Sequence, residues 1–170
     1  MWFQDEARFG QQGTITRVWA LRGSRPRVVR QTKYEWLYVI GAVCPGTGQT
    51  VGLLSPNINT DITNVFFEQF RKEADPNVHV VIVWDRAGFH TSKDLKVPEN
   101  VTIVALPPYS PELNPVENLW HYLRSHHWAN RSYANYDDLR HAAIDAWQNV
   151  ALDPEIIKSV CRTSYAERKN

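Results

Sequence analysis

The sequence predicts an α/β domain in which a mixed central sheet is flanked by helices, and two observations carry that expectation. Strand-sized apolar runs, such as residues 78–84, alternate along the chain with segments whose apolar residues recur at helical spacing, such as residues 61–74. The 170 residues are enough for one domain with its own core, and moderate charge together with seven tryptophans marks a folded globular chain.

The elements follow in order. Residues 2–9 read as a first strand, residues 14–19 as its hairpin partner and residues 36–44 as a third strand. Pro45-Gly46-Thr47-Gly48 is a turn signal, and the short apolar segment 50–54 after it extends the sheet. Over residues 61–74, Ile62, Val65, Phe66 and Phe70 make one face of an amphipathic helix, which Asp75-Pro76-Asn77 ends. Residues 78–84 are apolar at nearly every position, as expected of a central strand covered on both faces. A short helix from Ser92 and a strand over residues 101–105 come next. A proline-rich approach then leads into a helix bearing Glu117. Residues 138–150 form a helix with Leu139, Ala143, Ala146, Trp147 and Val150 inward, and a last helix starts at Pro154 behind a capping Asp153. Three strands, a helix, then strand, helix, strand, helix is the order of a ribonuclease H-like fold.

The segment from Leu106 to Trp120, Leu-Pro-Pro-Tyr-Ser-Pro-Glu-Leu-Asn-Pro-Val-Glu-Asn-Leu-Trp, is the most informative stretch. Asn114 suits an N-cap, Pro115 the first helical position, and Glu117 the third, where a carboxylate reaches back to the capping amide. A capping box would explain this pattern without chemistry. The helix faces suggest more. Val116, Leu119, Trp120 and Leu123 form an apolar stripe, while Glu117, His121 and Arg124 share another face, where acid, imidazole and guanidinium suit metal and phosphate.

Two further acids stand at strand positions. Asp85 ends the run 78–84, where ligands gather in open α/β sheets, although an Asp there also begins turns or caps helices. Asp5 lies in the first strand. If the two strands are neighbours, like charges that close need a cation or a shared proton, and oxygen-only ligands select magnesium or manganese over zinc.

The formal net charge is only +1, but Arg17, Arg22, Arg25, Arg27, Arg30 and Lys33 form a stripe with no acid among them. Such a stripe can neutralise phosphates, and the preference for arginine beside Trp19 favours a polyanion contact over a merely solvated loop. His126 and His127 match a zinc motif poorly and read as helix-end residues. Cys44 and Cys161 are isolated and are expected as reduced, buried thiols. No apolar run is long enough to span a bilayer and no leader pattern opens the chain, so no membrane partner and a cytoplasmic location, nucleoid-associated in a bacterium, are expected.

Gln4-Asp5-Glu6-Ala7-Arg8-Phe9, the block from Trp84 to Ser92, and Leu106 through Trp120 together resemble the catalytic domain of DDE transposases of the mariner-type superfamily, in its bacterial insertion-sequence branch. The resemblance covers nearly the whole chain, and the stretch from Pro107 to Trp120 is its most specific part. It implies that Asp5, Asp85 and Glu117 are the catalytic acids and bind two Mg2+ (or Mn2+) ions. The expected activity is cleavage of DNA and strand transfer by in-line displacement at a phosphodiester. The implied partners are transposon ends and target DNA, with a homodimer as the active complex. The segment from Val18 to Gly23, ending in Pro26, is similar to the family's clamp-like loop. Arg17, Arg22, Arg25, Arg27, Arg30, His90, His121 and Arg124 are the expected nucleic-acid contacts, with His90 and His121 orienting phosphate or shuttling a proton.

Arg86 stands where the family commonly has Asn, and the interval from Asp85 to Glu117 is slightly short. With four residues before Asp5, residues 1–170 read as a single catalytic domain without a helix-turn-helix domain; a separate recognition domain or chain would supply that part. Two alternatives are a catalytically idle DNA-binding or oligomerisation remnant, and a ribonuclease H-like nuclease acting on RNA:DNA hybrids.

Overall fold

A computed structural model describes residues 1–13, 15–27, 29, 31–163 and 165. Strands β1 (Trp2–Gly10), β2 (Trp36–Cys44) and β3 (Gln49–Ser55) pair antiparallel in sequence, and β4 (Val80–Trp84) and β5 (Val101–Ala105) continue the sheet in parallel. The order β3-β2-β1-β4-β5 leaves β1 in the centre, antiparallel to one neighbour and parallel to the other.

Residues of β1 alternate between two cores, as the two-residue period of a strand requires. Phe3, Ala7 and Phe9 join Leu37, Val39, Val43 and Val83 on one face, beneath helices α2 (Val116–Leu123), α3 (Tyr136–Ala146) and α4 (Pro154–Val160). Trp2 joins Ile40, Ala42, Val51, Ile82 and Trp84 on the other, against α1 (Thr60–Glu73). Helix α1 is capped by Asn59, whose side chain accepts the Ile62 N–H. Helices α2 and α3 each run on into a π-helical turn, Arg124–Trp128 and Trp147–Ala151, and Asp153 caps α4 through the N–H groups of Glu155 and Ile156. The inward set expected for α3 and its extension is found, with Trp147 partly buried.

Three local expectations need correction. Residues 15–19 form no strand: β2, apolar on both faces, pairs with β1 instead, while Ile15 and residues 17–21 are exposed and offer no face to bury. Thr14, the start of that expected strand, lies outside the described residues. On α1, Val65 faces solvent and Phe67 is buried, because the inward stripe is Thr63, Phe66, Phe67 and Phe70. No helix starts at Ser92. A 3-10 turn occupies Gly88–Thr91, and Ser92 is already extended.

Glycine has a packing role at two paired positions. Gly41 faces Asp5 across β1 and β2, and Gly52 faces Gly41 across β2 and β3. Trp120 and Trp147 lie over this row so closely that a Cβ on Gly41 would stand 2.8 Å from Trp120 Cη2, and one on Gly52 2.4 Å from Trp147 Cε2. The bare backbone is what lets Trp120 reach the neighbourhood of Asp5. Cys44 and Cys161 are free, buried thiols, and burial pushes that of Cys161 up to about 12. Among the described residues no helix is long and apolar enough to cross a membrane.

Candidate active site

Strands β1 and β4 pair in parallel at Trp2 and Phe3, and the first two acids lie just beyond that pairing, Asp5 within β1 and Asp85 after the end of β4. By strand alternation Asp5 shares the face of Phe3 and Ala7, toward α2. Asp85 comes one residue past the end of β4, at the point where the sheet changes direction of growth, the usual place for ligands in such sheets. Glu117 enters from above, in the first turn of α2. Asp5, Asp85 and Glu117 all line one cavity of about 440 Å³, whose wall is completed by Arg86 and residues 106–111.

The approach to α2 is fixed by Asn114. Its Nδ2 donates to the Gln4 carbonyl at 2.9 Å, and its Oδ1 accepts the Val116 N–H at 3.2 Å, so one buried side chain ties the helix start to β1. The Asn114 N–H donates to Pro111 rather than to Glu117, so the capping-box alternative is not realised. Glu117 faces the cavity instead.

Asp5 is the electrostatic centre of the site. Burial raises its pKa from 3.8 to about 7, and the like charges of Glu117 and Glu6 add to the effect. The opposing influences are the Trp120 indole N–H, which donates to Oδ2 at 2.9 Å, and a backbone hydrogen bond from Glu6. A partly buried acid with acidic neighbours is costly as an anion unless a cation joins it.

Asp85 is held at one oxygen. Its Oδ1 accepts the Ala87 N–H at 2.9 Å and lies 2.9 Å from His90 Nδ1. The other ring nitrogen, Nε2, meets Glu6 Oε1 at 3.0 Å, and that oxygen also accepts Gln4 Nε2 at 2.7 Å. The His90 ring stacks on Trp84, with centroids 4.0 Å apart and planes at 9°. Burial works against its charge, but hydrogen bonding and attraction from Glu6 and Asp85 prevail and raise its pKa. The His90 side chain is 1% exposed. Its expected direct contact with phosphate is therefore sterically closed, and its place is behind Asp85.

His121 is exposed in the last turn of α2 and Arg124 is half-buried at its end; neither lines the cavity. Arg17, Arg22, Arg25 and Arg27 are exposed on the excursion between β1 and β2, while Arg30 lies outside the described residues. The foot of that excursion is pinned. Thr16 and Asn130 exchange hydrogen bonds through the Asn130 amide, and the Gln31 side chain bonds both the N–H and the carbonyl of Tyr133. Beyond it Trp19 and Leu21 stand in solvent. His126 Nδ1 and the Tyr122 carbonyl oxygen are 3.0 Å apart, and the ring stacks on Tyr122, a packing role at the helix end.

Sequence reasoning passed over Glu6, Gln4 and the indole of Trp120. Alternation in β1 puts Glu6 on the face opposite Asp5, which is the one signal that pointed to a separate partner such as His90.

A central sheet with this topology defines a ribonuclease H-like fold, with acids near its β1/β4 fork. Solved structures of the Mos1 mariner transposase share the fold: the paired-end complex with Mn superposes with a TM-score of 0.71 at 15% identity over 94% of this chain and 51% of that one. The Mos1 strand transfer complex gives 0.68 at 16%, over 94% and 50%. The family described as DDE superfamily endonuclease matches residues 1–140, and the chain belongs to it. An uncharacterized protein, y4pE/y4sA, of Sinorhizobium fredii (strain NBRC 101917 / NGR234) is 38% identical over 133 residues, covering 78% of this chain and 98% of that protein. An insertion element IS630 uncharacterized 39 kDa protein of Shigella sonnei is 25% identical over 124 residues, 71% of this chain and 36% of the relative. The chain thus spans about half of the Mos1 chains and about a third of the IS630 protein.

Proposed function

We propose that this chain is a transposase catalytic domain that cleaves DNA and transfers strands by in-line displacement at a phosphodiester, with Asp5, Asp85 and Glu117 as its acids. The observation that carries the reading is that they line one cavity from separate elements, with the partly buried Asp5 made costly to ionise by desolvation and by its acidic neighbours. The donor set is all oxygen, which suits Mg2+ or Mn2+. Among the described residues no three such side chains converge into a ready metal cluster, so the acids surround the cavity without yet meeting at a point. Asp5, Asp85 and Glu117 would hold the ions, two by the family resemblance. When bound, divalent ions neutralise phosphate charge and activate the attacking oxygen.

The chain's own residues prepare that chemistry. Trp120 fixes Asp5 Oδ2, while Ala87 and His90 hold Asp85 Oδ1 and leave its second oxygen for the cavity. Arg86 places a guanidinium in the cavity wall, where a phosphodiester would gain a counter-charge. Water serves as nucleophile for the first cut, and a freed 3′-hydroxyl takes its place for strand transfer. DNA is the substrate, with the exposed arginines between β1 and β2 as backbone contacts. Similarity to an insertion-element protein supports DNA over RNA:DNA hybrids.

Purified protein with Mn2+ and supercoiled plasmid tests the reading. Nicking is expected, with at least a hundredfold loss in Asp85→Ala, on the order of one essential electrostatic contact. Intact plasmid despite tight binding would favour an idle DNA-binding remnant, and faster cleavage of hybrid than of duplex DNA would favour the ribonuclease alternative.

A further inference from the structure

Asp85 is the exposed member of the acidic trio, with 56% of its side chain open to solvent. It follows the end of β4, and β4 pairs with β1 at Trp2 and Phe3, before either acid is reached. An exposed side chain must be ordered before it can hold an ion, and that ordering costs affinity.

A chain of polar groups meets that need from behind the sheet. On the face of β1 opposite Asp5, Gln4 is 1% exposed and the Glu6 side chain 10%. Glu6 Oε1 accepts from Gln4 Nε2 at 2.7 Å and lies 3.0 Å from His90 Nε2, while His90 Nδ1 lies 2.9 Å from Asp85 Oδ1. Stacking on Trp84 holds the plane of the ring. Packing alone does not call for this set. Removing a carboxylate, an amide and an imidazole from water is costly, and apolar side chains of similar volume would fill the space beside Trp84 without that cost. What the polar set adds is a braced line from β1 to one oxygen of Asp85. Neither Glu6 nor His90 lines the cavity, so the line ends at Asp85 and not at a substrate.

We propose that Glu6 is a positioning residue for the site: acting through His90, it fixes the Asp85 carboxylate relative to Asp5, its own neighbour on β1, in the place where a divalent ion is held. The proposal rests on the divalent-metal reading given above. Asp5 and Glu6 are adjacent on one strand and point to opposite faces, so β1 supplies one acid to the cavity directly and sets another from behind. Reach matters more than charge in this arrangement, because what must be held is the ring edge that faces Asp85. Partners that orient a metal ligand in this way commonly change metal affinity by roughly ten- to a hundredfold when they are lost.

Mn2+ binding to the full chain, followed through the electron paramagnetic resonance signal of the free ion, tests the proposal without any reaction. Glu6→Asp keeps the charge but withdraws the oxygen from His90 by one methylene, and it should weaken Mn2+ binding about tenfold. Glu6→Gln keeps an accepting oxygen at full reach and should stay within about threefold of the wild type. A carboxylate acting by its charge alone predicts the reverse order, so a loss in Gln equal to or larger than that in Asp would overturn the proposal. His90→Phe keeps a ring on Trp84 and cuts the line; it should match the Glu6→Asp loss, and wild-type affinity from it would overturn the proposal even if Glu6→Asp did not fold. In the His90→Phe background the further loss from Glu6→Asp should shrink to under about twofold, as action through His90 requires. A tenfold loss that survives there would also overturn it. Parallel nicking assays with Mn2+ keep the two readings apart. The expected order of affinities without nicking removes the nuclease reading and leaves the positioning role, whereas nicking with equal affinities in Glu6→Asp and Glu6→Gln does the reverse.

Discussion

Replacing Asp5 by Asn should stabilise the metal-free protein at alkaline pH. In the folded chain the acid keeps its proton to about pH 7, whereas the ordinary value is 3.8. The folded state therefore binds the proton more tightly than the unfolded state, so stability is greatest below the unfolded pKa and declines as pH rises from there through about 7. The gap of about 3 pH units corresponds to about 4 kcal/mol at pH 8 as an upper bound. Asn carries no charge and still offers an oxygen to the Trp120 N–H, so the substitution removes the cost and keeps the hydrogen bond. Urea unfolding in EDTA at pH 5 and pH 8 measures it. Asp5→Asn should exceed the wild type by about 2–4 kcal/mol at pH 8, with the difference shrinking by more than half at pH 5. Mn2+ at pH 8 should restore the wild type while helping the variant less. An advantage that is absent at pH 8, or identical at both pH values, would sink the claim that Asp5 is a strained anion.

Three more outcomes follow from the geometry. Gly52→Ala places a methyl group against the Trp147 ring and should cost about 1–3 kcal/mol in urea unfolding, with a shift in tryptophan emission; an unchanged midpoint would show that the ring moves freely. His90→Ala removes the hydrogen-bonding group between Glu6 and Asp85 and should lower stability by about 1–3 kcal/mol, as expected when the largely buried Glu6 loses its partner; a change under about 0.5 kcal/mol would mean the ring contributes little. Removing Arg22, Arg25 and Arg27 together should flatten the dependence of log affinity on log salt for DNA by about 3, at about one per phosphate contact, measured by fluorescence anisotropy. An unaltered slope would place the phosphate contacts elsewhere.

The alternation of apolar runs made β1, β2, β4, β5 and the later helices readable, because each buries a face with a fixed period. That Asp5, Asp85 and Glu117 line one cavity was foreseeable for a related reason: Asp5 lies in a strand, Asp85 one residue past a strand's end and Glu117 in a helix's first turn. The excursion after β1 was not, since residues 15–19 alternate enough to suggest a strand while lacking a face that the core could cover. Val65 and Phe67 were misassigned because a five-residue apolar choice on α1 fits two overlapping stripes, and only the sheet beneath decides between them. His90 and Glu6 stand 84 residues apart, so no local pattern could join them. The glycine row beneath Trp120 and Trp147 was equally hidden, for it is a property of register across three strands.

Strand β1 is bonded to β2 along eight residue pairs but to β4 only at Trp2 and Phe3. Beyond Phe3 the sheet divides like a fork, one tine a continuous ribbon carrying Asp5 and the other a pair of loops carrying Asp85 and the wall around Tyr109. Chain length can thus vary on the loop tine, around residues 86–87 and 107–110, without disturbing the ribbon. Insertions or deletions there would shift Asp85 and reshape the cavity while Asp5 stayed in place, so the fork sets the acids of one cavity on supports of unequal stiffness.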